Sequence, residues 1–129
     1  MPKINSRQKG ASGERELANR LTALGLSASR GQQFQGTPDS PDVRLKGTLG
    51  GKIFVECKRV QKLDLHQAMA KAIKDAGPTL IPVIIHRKNK TDWLMTCRIE
   101  DGVMFLKSVE FGLGFMESAA YDANTKGGL

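Results

Sequence analysis

Only two cysteines, Cys57 and Cys97, occur in the 129 residues, and neither belongs to a CxxC pair. This usage argues against a cysteine-based zinc site, and a reducing compartment is the natural setting. The two histidines, His66 and His86, share no metal-ligand spacing with one another or with a cysteine, so both read as structural or exposed. Aromatics make up 5% of the chain, with one Trp and one Tyr. No apolar run approaches the ~18 residues of a membrane span. A signal peptide is also not recognisable, so the expected location is cytoplasmic. What remains is the composition of an ordinary globular chain, 40% hydrophobic and 26% charged, long enough for one domain with a proper core.

Acidic residues are scarce where basic ones are plentiful. The net charge is +7, and it is unevenly spread. Residues 1–98 hold 18 Lys/Arg against 8 Asp/Glu, whereas residues 99–129 hold 2 against 5. A basic body of this kind fits a polyanion partner. The expected organisation is a single domain over residues 1–117, with a basic N-terminal arm (1–8) and a disordered tail (118–129).

The first helix is expected to begin between Ser6 and Ser12 and to stop at Gly25. Its apolar stripe is Leu17, Ala18, Leu21 and Leu24, and three residues before Leu17 the same stripe passes through Glu14. An acid on a core-facing stripe is unusual. A short strand within Leu26–Arg30 is followed by a Gly/Pro/Gln loop, Gly31 to Pro41. Strands at 42–46 and 52–59 are joined by the Gly-rich turn Gly47–Gly51. Asp64 N-caps a second helix, with Gln67 three residues on in a capping-box arrangement. Its buried stripe is Leu65, Ala68, Met69, Ala72, Ile73 and Ala76, it ends at Gly77-Pro78, and Gln67, Lys71 and Lys74 fall on its polar side. Leu80–His86 reads as a buried strand, Arg87–Lys90 as a basic turn, and Asp92–Arg98 as a paired strand. From Ile99 the pattern is poor, compatible with a short helix or an irregular segment. The fold class is α/β, a mixed β-sheet flanked by helices in the order α-β-β-β-α-β-β.

Side chains alternate faces along a strand, so Phe54, Glu56 and Lys58 point one way while Ile53, Val55 and Cys57 point the other. Two opposite charges therefore share a face of a strand that otherwise reads as core, where charge is costly unless paired or bound to metal. Asp42, Glu56 and Glu14 arrive from a strand start, a neighbouring strand and a core-facing stripe. Three carboxylates near one point repel, and a hard divalent cation resolves that repulsion. Oxygen donors without His or Cys favour Mg²⁺, with Mn²⁺ able to substitute. Lys58 stands where a fixed positive charge can hold a water or a phosphate oxygen.

Pro41-Asp42 followed by Glu56-Cys57-Lys58 resembles the PD-(D/E)xK nuclease signature, and Lys9-Gly-Ala-Ser-Gly-Glu-Arg-Glu-Leu17 resembles the first helix of archaeal-type and phage Holliday junction resolvases. The stretches Ser29 to Asp42 and Ile81 to Arg87, with Trp93-Leu94, are similar to a phage branch of that superfamily. The resemblance covers roughly residues 8–98. It implies a restriction-endonuclease-like fold in which Asp42, Glu56 and the Cys57 backbone carbonyl hold the metal. Glu14 would be a further ligand, direct or through water, and Lys58 the catalytic lysine. It also implies Mg²⁺-dependent cleavage of branched DNA by a homodimer, with a phage or prophage genome and a bacterial cytoplasm as natural settings. Arg7, Lys9, Arg30, Arg87, Lys88 and Lys90 are candidate phosphate contacts, and Phe34 either stacks on a base or is an ordinary loop residue. Trp93 is weighed between stacking on a base and a place in the core, and reads as core. Gln67 reads as a helix cap, because the Gln-xxx-Tyr motif of some branches is broken by Lys71. The alternatives are a nuclease of the same fold with another DNA target (nicking, repair or restriction-like) and a non-catalytic DNA-binding module.

Overall fold

The first helix, α1 (Ser6–Ala23), closes where the sequence places its stop. The Gly25 N–H donates to the Thr22 carbonyl (3.1 Å) and the Leu26 N–H to the Leu21 carbonyl (3.0 Å), with Gly25 at φ 107°. This closure satisfies the last carbonyls of the helix and needs a left-handed residue, which glycine adopts without steric cost. The structure, a computed structural model, describes residues 6–31 and 40–127, with side chains over 10–31 and 40–114.

Among the described residues five strands follow: β1 (Ala28–Arg30), β2 (Val43–Leu45), β3 (Ile53–Arg59), β4 (Ile81–Arg87) and β5 (Leu94–Thr96). They form one sheet in the order β1-β2-β3-β4-β5, antiparallel except for the parallel β3–β4 pair. The helix α2 (Leu65–Ala76) makes the crossover that a parallel pair requires. The fold is thus the expected mixed α/β sheet with helices against it, in the expected order.

The two helices take different faces of β3. Ala68 and Ala72 of α2 are buried against Ile84, which pairs in register with Glu56, so α2 covers the face that bears Glu56. Glu16 of α1 pairs with Arg59, and a Cβ built on Gly13 would lie 2.7 Å from the Arg59 Cβ, so α1 covers the opposite face. Leu17, Ala18, Val43, Phe54, Val55, Val83 and Ile84 form the core.

Several expectations need correction. Leu24 is 64% exposed, because α1 ends at Ala23 and the Gly25 turn carries Leu24 away from the stripe. Gly47–Gly51 is a 3₁₀ helix, not a simple turn. In α2 only the alanines at 68, 72 and 76 are fully buried, while Leu65, Met69 and Ile73 are half-buried, since small side chains let the helix sit close to the sheet. The last strand is shorter than 92–98, which leaves Cys97 outside it.

The chain divides into two compact units at Cys97/Arg98. The second contains α3 (Ile99–Gly127), 29 residues long where a short helix or irregular segment was expected. Over residues 99–114 its apolar residues surround the helix without a single face, which is why periodicity does not announce it; Val103, Met104, Leu106 and Phe111 are exposed. Glu100 and Asp101 stand in its first turn, where the helix dipole favours acids. No helix among the described residues is long and apolar enough to cross a membrane.

Candidate active site

Asp42 lies immediately before β2, and its backbone is held on both sides. Its N–H donates to the Val55 carbonyl and its own carbonyl accepts from the Gly31 N–H, each at 2.9 Å. Gly31 is the only residue type that fits there, since a Cβ would come within 2.0 Å of the Pro41 carbonyl oxygen. The side chain then turns to β3, where Oδ2 accepts the Cys57 N–H at 2.8 Å. In an extended strand the N–H and C=O of one residue face the same neighbour, so the Cys57 carbonyl also faces the Asp42 side.

Glu56, 4% exposed, projects from the middle of β3. Lys58 stands on the same face with its ammonium 3.9 Å from Glu56 Oε1, and it keeps 34% of its side chain open to solvent. A second lysine, Lys71 of α2, comes closer, at 3.4 Å from the same oxygen and 2.9 Å from Asp75. By helical spacing Lys71 falls on the polar side of α2, away from Glu56. Its position three residues after the buried Ala68 was the available signal, because a long side chain at the edge of a buried stripe can lie along the sheet.

Glu14 is buried, but its Oε2 accepts from Arg30 Nε at 2.7 Å. It rides on α1, whereas Glu56 projects from the face covered by α2. The two acids therefore approach Asp42 from different sides, and no group of three or more His, Cys, Asp or Glu among the described residues closes into a metal cage.

The electrostatics still single out this place. The Asp42 carboxyl is raised from its ordinary 3.8 to about 7, by burial first, then by Glu56 and, more weakly, Glu14. The Cys57 N–H and Lys58 oppose that rise. Burial, aided by Asp42 and the other acids, pushes the Cys57 thiol up to about 12, so it stays protonated and is neither thiolate ligand nor nucleophile. Burial tends to lower Lys71, but the Asp75 hydrogen bond and Glu56 outweigh it and hold the ammonium above the ordinary lysine value.

The donor set suits Mg²⁺. That ion is commonly held by one or two carboxylates, with water and substrate phosphate completing its shell, and not by an all-protein cage. Asp42 and Glu56 are two hard oxygen donors whose mutual repulsion a dication relieves, and Glu14 lies within electrostatic reach of Asp42.

The basic candidates fall into three groups. Arg30 is engaged by Glu14, and Arg87 by Glu16, with the Arg87 guanidinium 6.0 Å from the Trp93 ring centre. Arg59 joins this network through Glu16 and Asn89. Lys88 and Lys90 are exposed, in a turn closed by Thr91 onto Lys88, and their ammonium groups have no ion-pair partner among the described residues. The side chains of Arg7 and Lys9, and all of Phe34, lie outside the described residues. Trp93, expected in the core, is half-buried. Asp64 caps α2 by accepting the Gln67 N–H at 3.0 Å. Among the histidines, His66 is exposed; His86 bonds Thr96 Oγ1 at 2.9 Å and is lowered by burial.

No family model matches the chain, and no curated protein matches it. Among solved structures, a similar one is that of Hjc, a Holliday junction resolvase from the archaeal hyperthermophile Archaeoglobus fulgidus. It is 21% identical, covers 69% of this chain and 72% of its own, and superposes with a TM-score of 0.45.

Proposed function

We propose that the chain is a Mg²⁺-dependent DNA endonuclease of the PD-(D/E)xK type that cuts branched DNA, with the four-way junction as its substrate. The observation that carries this reading is the grouping on β3: Glu56 and Lys58 share one face, and Asp42 is fastened to the N–H of the residue between them. A binding module has no use for buried acids beside a DNA phosphate, where they only repel.

Asp42, Glu56 and the Cys57 carbonyl would hold the ion, with Glu14 a further ligand, direct or through water. Bound there, Mg²⁺ would polarise the scissile phosphate and acidify a water. Asp42, raised to about 7, gives up its proton at near-neutral pH to become a full acceptor. Lys58, partly exposed and on the Glu56 face, supplies a fixed positive charge for the attacking water or the developing phosphate charge. Lys88 and Lys90 contact the backbone phosphates without reading sequence. Two symmetric cuts across a junction call for a homodimer.

The test is a cleavage assay with Mg²⁺ on a synthetic four-way junction, a flap, plain duplex and single strands. Paired nicks near the branch point are the expected result. Equal cutting of all four would leave a general nuclease, and salt-dependent binding without Mg²⁺-dependent turnover would leave a binding module.

A further inference from the structure

Glu56 is flanked by two ammonium groups, and the nearer one belongs to neither strand. Lys71 Nζ lies 3.4 Å from Glu56 Oε1, against 3.9 Å for Lys58. Its position is built in: Ala68 and Ala72 seat α2 on Ile84, the register partner of Glu56, and Asp75 holds the ammonium at 2.9 Å from the next turn. A carboxylate as buried as Glu56 needs a counter-charge when no metal is present. A dication held by the same carboxylate would repel the ammonium and replace it as counter-charge. The Lys71 side chain is 58% exposed, so the displaced ammonium can swing on its four-carbon stem to an incoming anion while Asp75 keeps it local.

We infer that Lys71 is a cation-gated DNA contact of this site: it serves as the counter-cation of Glu56 in the metal-free protein and passes to a DNA phosphate when a divalent cation takes over that carboxylate. The inference rests on the nuclease reading above and adds a coupling to it, in which cation binding strengthens DNA binding and the converse.

The experiment compares the full chain with its Lys71→Met and Lys71→Arg variants. In calorimetric titration of DNA-free protein with Mg²⁺, Lys71→Met should bind about threefold more tightly or better, the competing ammonium being gone, while Lys71→Arg stays near wild type. DNA binding is then followed against salt by anisotropy, in EDTA and in Ca²⁺, which takes the same oxygen donors. In Ca²⁺ the log–log salt slope of Lys71→Met should be smaller than wild type by about one, and in EDTA it should be unchanged. Unchanged or weaker Mg²⁺ binding by Lys71→Met, or a slope reduced equally in both buffers, would make Lys71 an ordinary surface lysine and overturn the inference alone. A wild-type protein that takes up no Mg²⁺ would overturn both this inference and the nuclease reading.

Discussion

The Oδ2 of Asp42 accepts the backbone N–H of Cys57 at 2.8 Å, which clamps the residue before β2 onto the centre of β3. That one bond sets the separation of Asp42 from Glu56 and Lys58 on either side of Cys57. It also partly offsets the burial and charge repulsion that raise the Asp42 carboxyl.

A pH dependence follows. Asp42 moves from 3.8 to about 7, so at intermediate pH the folded chain keeps a proton that the unfolded chain has released. The metal-free protein should therefore lose stability as pH rises through that interval, by roughly 2–4 kcal/mol in total, and level off above it. Urea denaturation in EDTA at constant ionic strength measures this. Asp42→Asn should flatten the slope; an unaltered slope in that variant would assign the dependence to other groups. Mg²⁺ should restore stability on the alkaline side.

If the nuclease reading holds, Lys58→Ala and Glu56→Ala should each lower junction cleavage about 100-fold or more while DNA binding in Ca²⁺ stays within a few-fold of wild type. Cleavage by either variant at the wild-type rate would remove that residue from the site.

Arg30→Ala leaves the buried Glu14 without its bonded partner. Because Arg30 itself is part-exposed, the expected loss is about 1–2 kcal/mol, short of a fully buried pair. Adding Glu14→Gln should recover part of it, and a double-mutant cycle in urea reads the coupling directly. Strict additivity would mean that the pair contributes nothing.

Two glycines of α1 should respond with opposite signs. Gly10→Ala meets nothing within 4 Å and should stabilise by about 0.5–1 kcal/mol through helix propensity. Gly13→Ala puts a methyl 2.7 Å from the Arg59 Cβ, and that overlap, about 1–3 kcal/mol, should outweigh the same gain. Unfolding midpoints of both variants would show whether α1 seats on β3 at this point; stabilisation by both would deny it.

Sequence alone determined the parts whose cause is local. Gly25 and Gly77-Pro78 end their helices because few other residues take those backbone angles, and the Asp64 cap is a contact three residues long. The alternation in Ile53–Arg59 put Glu56 and Lys58 on one face before any neighbour was known. Tertiary structure decided what depends on long-range partners. Arg30 and Arg87 look like free cations in the sequence, but each is claimed by an acid of α1, 16 and 71 residues away. Lys71 looks solvated until α2 docks and brings it to Glu56. Glu14 shares its stripe with core residues, yet helix docking on the face opposite Glu56 sends it to Arg30 as well as toward Asp42. Periodicity reports which way a side chain leaves its own helix or strand, and only packing reports what is waiting there.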